Sequence, residues 1–226
     1  MLLCIETSTK NCSVALVRDG QLVAHTDEYG DRFIHGERLH TIIQELVAAQ
    51  GISLRELQGI VVGEGPGSYT GLRIGVSTAK GLAYALNVPL YSMPTLACFD
   101  FSTINTGTVI TVLDARRDEV FAQVWEKTGA QVLSKGPVEA VIVNEQAWAP
   151  LRDQIDVTVL GDCNSKMSDL LSEAGFNWTI APSAFPSAKN MAKFIAEGLQ
   201  QKVDVAYFEP FYLKDFVAEK SKKKWF

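Results

Sequence analysis

Histidine is scarce in this chain: His25, His35 and His40 are the only ones among 226 residues. None belongs to an H-E-x-x-H pair. His35 and His40 stand five positions apart, roughly 140° around a helix, so they cannot share a face. No metal site is expected, and each imidazole reads as solvated or as a local cap. Cysteine is equally thin. Cys4, Cys12, Cys98 and Cys163 show no C-x-x-C spacing and lie mostly among apolar residues, the pattern of reduced cytosolic thiols rather than of a disulfide framework. No apolar run approaches the ~18 residues that would suggest a membrane span. The opening MLLCIETST has no cationic start and no apolar stretch of signal-peptide length. No membrane association is expected, and the cytoplasm is the expected compartment. Positive charge is short too: 21 Lys and Arg against 26 Asp and Glu leave a net charge of -5. Nucleic-acid affinity rests on phosphate neutralisation, so this chain is not expected to grip a polyanion by itself.

What is present is an ordinary globular composition, 47% hydrophobic and 21% charged, which can bury a core without staples. Apolar runs at 2–5, 12–17 and 21–26 read as strands, the last two joined by Asp19-Gly20, a good two-residue hairpin turn. Leu39, Ile42, Ile43, Leu46 and Val47 recur at helical spacing, and Gly51 is a plausible end for that helix, about 36–50. GIVVG (59–63) reads as a buried strand. A second helix, about 70–86, stops before Asn87-Val88-Pro89, because the residue before proline avoids the helical region. The second half repeats the opening. TVITVLD (108–114), EVFAQVWE (119–126) and AQVLS (130–134) form another meander, and helices follow at about 144–151, 165–174 and 187–201. The last has Ser187 as cap and Met191, Phe194, Ile195 and Leu199 on one face. Two tandem βββαβα units predict a duplicated α/β chain. Residues 1–104 form the first unit, completed by 205–226, and residues 105–204 the second.

The stretch GEGPGSYTGLRIGVSTAKGLA (63–83) resembles a phosphate loop and fails each test for one. No register supplies G-x-x-x-x-G-K-[ST], and Lys80 lies inside the helix. The dinucleotide pattern G-x-G-x-x-G/A breaks at Ser68. Ser77 in GVSTA would be mid-helix rather than on a strained nucleophile turn. The stretch does carry small residues every four positions, Gly71, Gly75, Ala79 and Ala83, on one helix face. Such a face admits another backbone, either that of its own sheet or that of a partner subunit. Beside it runs a polar stripe of Arg73, Ser77, Lys80 and Tyr84, and Arg and Tyr are favoured anchors in interfaces.

An acid closes the first strand of each half, Glu6 before Thr7-Ser8-Thr9 and Asp114 before Ala115-Arg116-Arg117. In a phosphotransferase of this plan the two turns would clamp phosphates, with carboxylates on hydrated Mg²⁺. The first turn has the small hydroxyls for this. The second lacks the glycine that lets amides reach a ligand.

Together, IETSTKNCSVAL, the glycine-rich signature, LDARRDEVFAQVW and EPFYLK resemble the TsaB (YeaZ) family. These are bacterial proteins of threonylcarbamoyladenosine biosynthesis on tRNA, and the resemblance covers essentially the whole chain. It implies an actin/Hsp70-like (ASKHA) fold and kinship to TsaD, the catalytic subunit. TsaD-like proteins carry two metal-binding histidines shortly after the strand that follows the glycine-rich helix; PLYSMPTLACFDF (89–101) has none. The IETS form, with Glu6 where many TsaB sequences have Asp, is closer to TsaD. The resemblance implies a non-catalytic partner of TsaD, joined by the ATPase TsaE, in transfer of threonylcarbamoyl to adenosine 37 of tRNAs reading codons that begin with A. The expected partner-binding residues are Gly71, Arg73, Gly75, Ser77, Ala79, Lys80, Ala83 and Tyr84, with Leu39 and Ile43 of the preceding helix. Glu6, Thr7, Ser8 and Asp114 are expected as a vestigial nucleotide site. This chain should need no cofactor of its own, with ATP or ADP at the heterodimer joint and a homodimer when TsaD is absent. Lysines 220, 222, 223 and 224 of the tail are either simply solvated or help tRNA approach the complex. An actin-like ATPase or small-molecule kinase, and a glycoprotease-like metallopeptidase, are the alternatives.

Overall fold

The computed structural model describes residues 1–214, so the lysine-rich tail lies outside the described residues. In the first lobe an antiparallel meander of β1 (Leu2–Glu6), β2 (Asn11–Arg18) and β3 (Gln21–Tyr29) leads through α1 (His35–Ala49) to β4 (Gly59–Gly63). From there α2 (Tyr69–Leu86) crosses to β5 (Leu90–Met93). The second lobe repeats the meander as β6 (Thr106–Asp114), β7 (Glu119–Thr128) and β8 (Gln131–Ser134), followed by β9 (Glu139–Ile142) and α3 (Glu145–Trp148). It then runs through β10 (Val157–Gly161) and α4 (Asn164–Ala174) to β11 (Thr179–Ile180). The spatial orders β3-β2-β1-β4-β5 and β8-β7-β6-β10-β11 are the same order written twice. The crossover neighbours β1–β4, β4–β5, β6–β10 and β10–β11 all run parallel. This is the duplicated actin/Hsp70-like plan.

The central strands are near-continuous apolar runs because both of their faces are covered. Along β1, Leu3 and Ile5 pack beneath α1 and α2, whereas Cys4 points to the opposite face. On β6, Ile110 and Val112 join the core around α4, whereas Val109 and Leu113 turn to the other side. Those other sides meet. One core containing Phe99, Phe101, Trp125 and Phe194 draws residues from both sheets.

Helix ends follow the expected chemistry. Gly51 has φ +65°, and the bonds Gly51 N–H to Ala48 O (2.9 Å) and Ile52 N–H to Val47 O (3.3 Å) close a Schellman motif. At the start of α2, the Ser68 side chain accepts from Gly71 N–H at 3.2 Å, an N-cap of the usual kind.

The helix expected at 187–201 is corrected. A 3-10 turn (Ala188–Asn190) leads into α5 (Met191–Ala196). Gly198, at φ +71°, then diverts the chain into β12 (Gln201–Val203). Leu199 is 49% exposed rather than on a buried helix face. The second correction concerns the domain boundary. β12 pairs with β5, and the segment from 188 packs on β1, β2 and β3, so the chain is back on the first sheet ahead of 205. Asn11 Nδ2 donates to Pro186 O (3.0 Å), and Ala188 N–H donates to Ser13 Oγ (2.8 Å), fixing that return.

Candidate functional site: a closed turn and an exposed helix face

The turn between β1 and β2 is sealed by its own chain. Glu6 is 0% exposed and Thr7 and Ser8 are 1% and 2% exposed. The Glu6 carboxylate accepts from Ser8 N–H at 2.7 Å and from Thr95 Oγ1 at 3.1 Å. Burial pushes its pKa up, and those hydrogen bonds only partly offset the rise. The glycine-rich segment lies directly against this turn. A Cβ on Gly71 would stand 2.1 Å from the Thr7 carbonyl oxygen, and one on Gly75 2.1 Å from Thr7 Oγ1. Gly63 and Gly67 would clash in the same way with Glu6 and Ser8. Thr7 Oγ1 donates to Gly71 O at 2.9 Å, and Ser68 N–H donates to Ser8 O at 2.7 Å. The small residues therefore admit the turn of their own lobe. Glu6, Thr7 and Ser8, three of the four residues expected as a vestigial nucleotide site, are thus covered by the glycine-rich segment of their own lobe, and a phosphate would have to displace it to reach them.

The second turn is open but neutralised from within. Asp114 is exposed, and its carboxylate pairs with Lys166 and accepts from Arg116 N–H. Its backbone N–H donates to Asp162 Oδ1 at 2.9 Å. Burial raises the Asp162 pKa, and the nearby Asp114 charge raises it further. Without a glycine, Arg116 and Arg117 themselves take φ of +66° and +49°, a region that few non-glycine residues occupy. Lys214 reaches this turn from the far end of the described chain, donating to Ala115 O (3.2 Å) and pairing with Glu119.

Helix α2 thus has two unlike sides. Ala79 and Ala83 are 0% and 1% exposed, in the core beneath the helix, and Gly71 and Gly75 face Thr7. The docking reading of this stripe is corrected: it is covered by its own sheet. Leu39 and Ile43 of α1 are corrected with it, at 0% and 3% exposed in the same core. On the outer side Arg73 and Ser77 are exposed, and Tyr84 is 84% exposed. Lys80 is half-buried and donates to the carbonyls of Ala206 (3.1 Å) and Phe208 (2.8 Å). A strap, residues 204–214, therefore lies along α2. Near its far end Phe211 N–H donates to Glu64 O at 2.7 Å, and Tyr212 stacks at 5.0 Å on Tyr69, over which Arg73 sits at 4.6 Å. Sequence reasoning missed these strap residues. Their only signal was the aromatic pair in EPFYLK, which no periodicity assigns to a surface.

The profile of the TsaD family, tRNA N6-adenosine threonylcarbamoyltransferase, matches residues 34–222. The Escherichia coli (strain K12) tRNA threonylcarbamoyladenosine biosynthesis protein TsaB is 30% identical, over 97% of this chain and 96% of that protein. The Bacillus subtilis (strain 168) TsaB is 31% identical over 99% and 97%. The chain belongs to the TsaB family. A solved YeaZ from Pseudomonas aeruginosa, 26% identical, superposes with a TM-score of 0.77 over 94% of this chain and 99% of its own.

In this TsaB-family chain the histidines occupy separate environments. His25 and His40 are exposed. His35 is not: it is 1% exposed, with Nε2 2.7 Å from the distant Thr9 O, so its reading as a solvated residue or a local cap is corrected. A carbonyl only accepts, so Nε2 carries the proton, and the buried Nδ1 has no hydrogen-bond partner among the described residues. Burial lowers the His35 pKa, with the Thr9 bond opposing. Among the described residues no group of three or more His, Cys, Asp or Glu is placed to hold a metal ion. Nor is any helix among them long and apolar enough to cross a membrane.

Proposed function

We propose that this chain is a non-catalytic subunit of the machinery that builds threonylcarbamoyladenosine on tRNA. In this reading it binds a TsaD-type catalytic subunit, is joined by a TsaE-type ATPase, and meets tRNA through the assembled complex. TsaD then transfers threonylcarbamoyl to adenosine 37 of tRNAs reading codons that begin with A. The observation that carries the reading is the sealed β1–β2 turn. An acid that must position hydrated Mg²⁺ needs water around it, and Glu6 has none of its surface exposed. The chain itself needs no cofactor; ATP or ADP belongs at the joint between the two subunits.

The docking face is the outer stripe of α2, Arg73, Ser77 and Tyr84, with Lys80 behind it, its ammonium turned onto the carbonyls of Ala206 and Phe208 rather than toward the partner. In the absence of TsaD the same face pairs with itself in an isologous, cytoplasmic homodimer. Reconstitution with the TsaD-family and TsaE-family proteins of the same organism, ATP, the threonylcarbamoyl precursors and tRNA tests this. Modified adenosine should form only when this chain is added, and an Arg73→Glu variant should fail to co-elute with the TsaD-type subunit. ATP hydrolysis by the purified chain alone, abolished in Glu6→Ala, would overturn the non-catalytic reading and favour an actin-like ATPase or kinase.

A further inference from the structure

The outer stripe of α2 is small for a stable interface. It offers three exposed side chains and the half-buried Lys80, whereas a specific contact takes about 800 Å² from each partner. The strap lies beside it and adds large side chains. Tyr207 is 85% exposed, and Phe211 and Tyr212 are 41% and 38% exposed. A buried aromatic contributes on the order of 150–250 Å².

The strap is held in place at both ends. Asp204 Oδ1 accepts from Ala206 N–H (2.7 Å) and Tyr207 N–H (3.1 Å), and Asp204 O accepts from Phe208 N–H (2.9 Å). This turn drops Val205 and Phe208 onto the core under α2 and leaves Tyr207 outside. Lys80 grips the carbonyls on either side of Tyr207. Because Tyr84 follows Lys80 by four positions, it projects from the same side of the helix one turn on. At the other end Tyr212 rests on Tyr69. Residues 206 to 212 therefore run antiparallel to α2 from position 80 to 69, about 17 Å along the axis.

We propose that residues 204–214 form the second half of the docking surface for the TsaD-type subunit, with Lys80 as the positioning residue that holds Tyr207 in it. The inference rests on the proposed pairing with that subunit. Arg73 lies over the Tyr69 ring, so the surface is a row of aromatics with a guanidinium at its edge. It fits a partner face of aliphatic side chains carrying a carboxylate.

The test uses the full chain and the purified TsaD-family protein of the same organism, with affinity measured by calorimetry. Tyr207→Ser should weaken binding at least about tenfold with an unchanged melting temperature, since Tyr207 is almost wholly solvated. Lys80→Met should also weaken binding, and the double variant should bind no worse than Tyr207→Ser, because Lys80 acts through Tyr207. Lys80→Arg, which can still donate to both carbonyls, should recover most of the loss. Wild-type affinity in Tyr207→Ser overturns the inference, as do losses that simply multiply in the double variant. If Arg73→Glu abolishes binding while Tyr207→Ser does not, the pairing stands and the strap's part in it falls. If the unaltered chain does not bind the TsaD-family protein, both fall. If Tyr207→Ser changes only self-association, the strap serves a second copy of the chain and the inference is wrong.

Discussion

Replacing Gly75 by Ala tests the contact between α2 and the β1–β2 turn. In a solvated helix this change stabilises by about 0.8–1.0 kcal/mol, the difference in helix propensity. Here the new methyl would stand 2.1 Å from Thr7 Oγ1. The hydroxyl must move by more than 1 Å, which breaks its bond to Gly71 O and overpacks the joint. Overpacking costs about 1–3 kcal/mol and the bond about 0.5–1.5 kcal/mol. Setting the propensity gain against these leaves a net loss of roughly 1–3 kcal/mol, or several degrees in Tm for a chain of this length. Removing the hydroxyl reverses the sign. With Thr7→Ala already present, the nearest remaining Thr7 atom is Cβ at 3.3 Å, and Gly75→Ala should then stabilise by up to about 1 kcal/mol. A double-mutant cycle by urea denaturation reads this directly. A neutral or stabilising Gly75→Ala in the unaltered background, or zero coupling in the cycle, would refute the packing of α2 on Thr7.

Three further outcomes are expected. Ala79→Glu places a carboxylate where the side chain is 0% exposed, and should unfold the monomer or cost several kcal/mol; Ser77→Glu, two positions back on the outer face, should stay within about 0.5 kcal/mol, as thermal melts will tell. Because burial raises the Glu6 pKa above 4.5, the folded state favours its proton, and stability falls as pH rises from there through the folded value. Glu6→Gln should flatten that stretch of the stability profile and be at least as stable at pH 7. The His35 pKa is lowered from 6.5, so its contribution is complete above that value and is lost as pH falls toward the folded value, with a slope of at most about 1.4 kcal/mol per pH unit; a histidine NMR titration in which His35 protonates at or above 6.5 would contradict this.

The strands were readable because their apolar runs are bounded by turn residues whose backbone needs are strict, as at Asp19-Gly20, with φ of +50° and +73°. The direction in which α2 faces was not. Small residues at a spacing of four say that something comes close, and a neighbouring backbone in the same lobe leaves the same mark as one in a partner. What decides the matter is Thr7, 64 positions from Gly71 and invisible to any local pattern. His35 was misread for a related reason. It is the first residue of α1 and stands on the buried face, four positions before Leu39 and seven before Ile42, but a polar ring there reads as solvated until its acceptor is known, and that acceptor is the distant Thr9 carbonyl. The helix from 187 was drawn too long because Leu199 kept the period while Gly198, at φ +71°, ended it.

The core between the two sheets has a mechanical consequence. Phe101, Trp125 and Phe194 stand edge-to-face or tilted, 5.6–6.3 Å apart, with Phe99 and Met191 among the buried side chains around them. Wetting each large side chain costs about 1.5–3 kcal/mol, so prising the lobes apart approaches the whole stability of an ordinary domain, about 5–15 kcal/mol. A clamshell that must open and shut around a ligand cannot have its hinge glued in this way. This chain should behave as a rigid wedge that melts in one step, offering a partner a surface whose shape is already set before they meet.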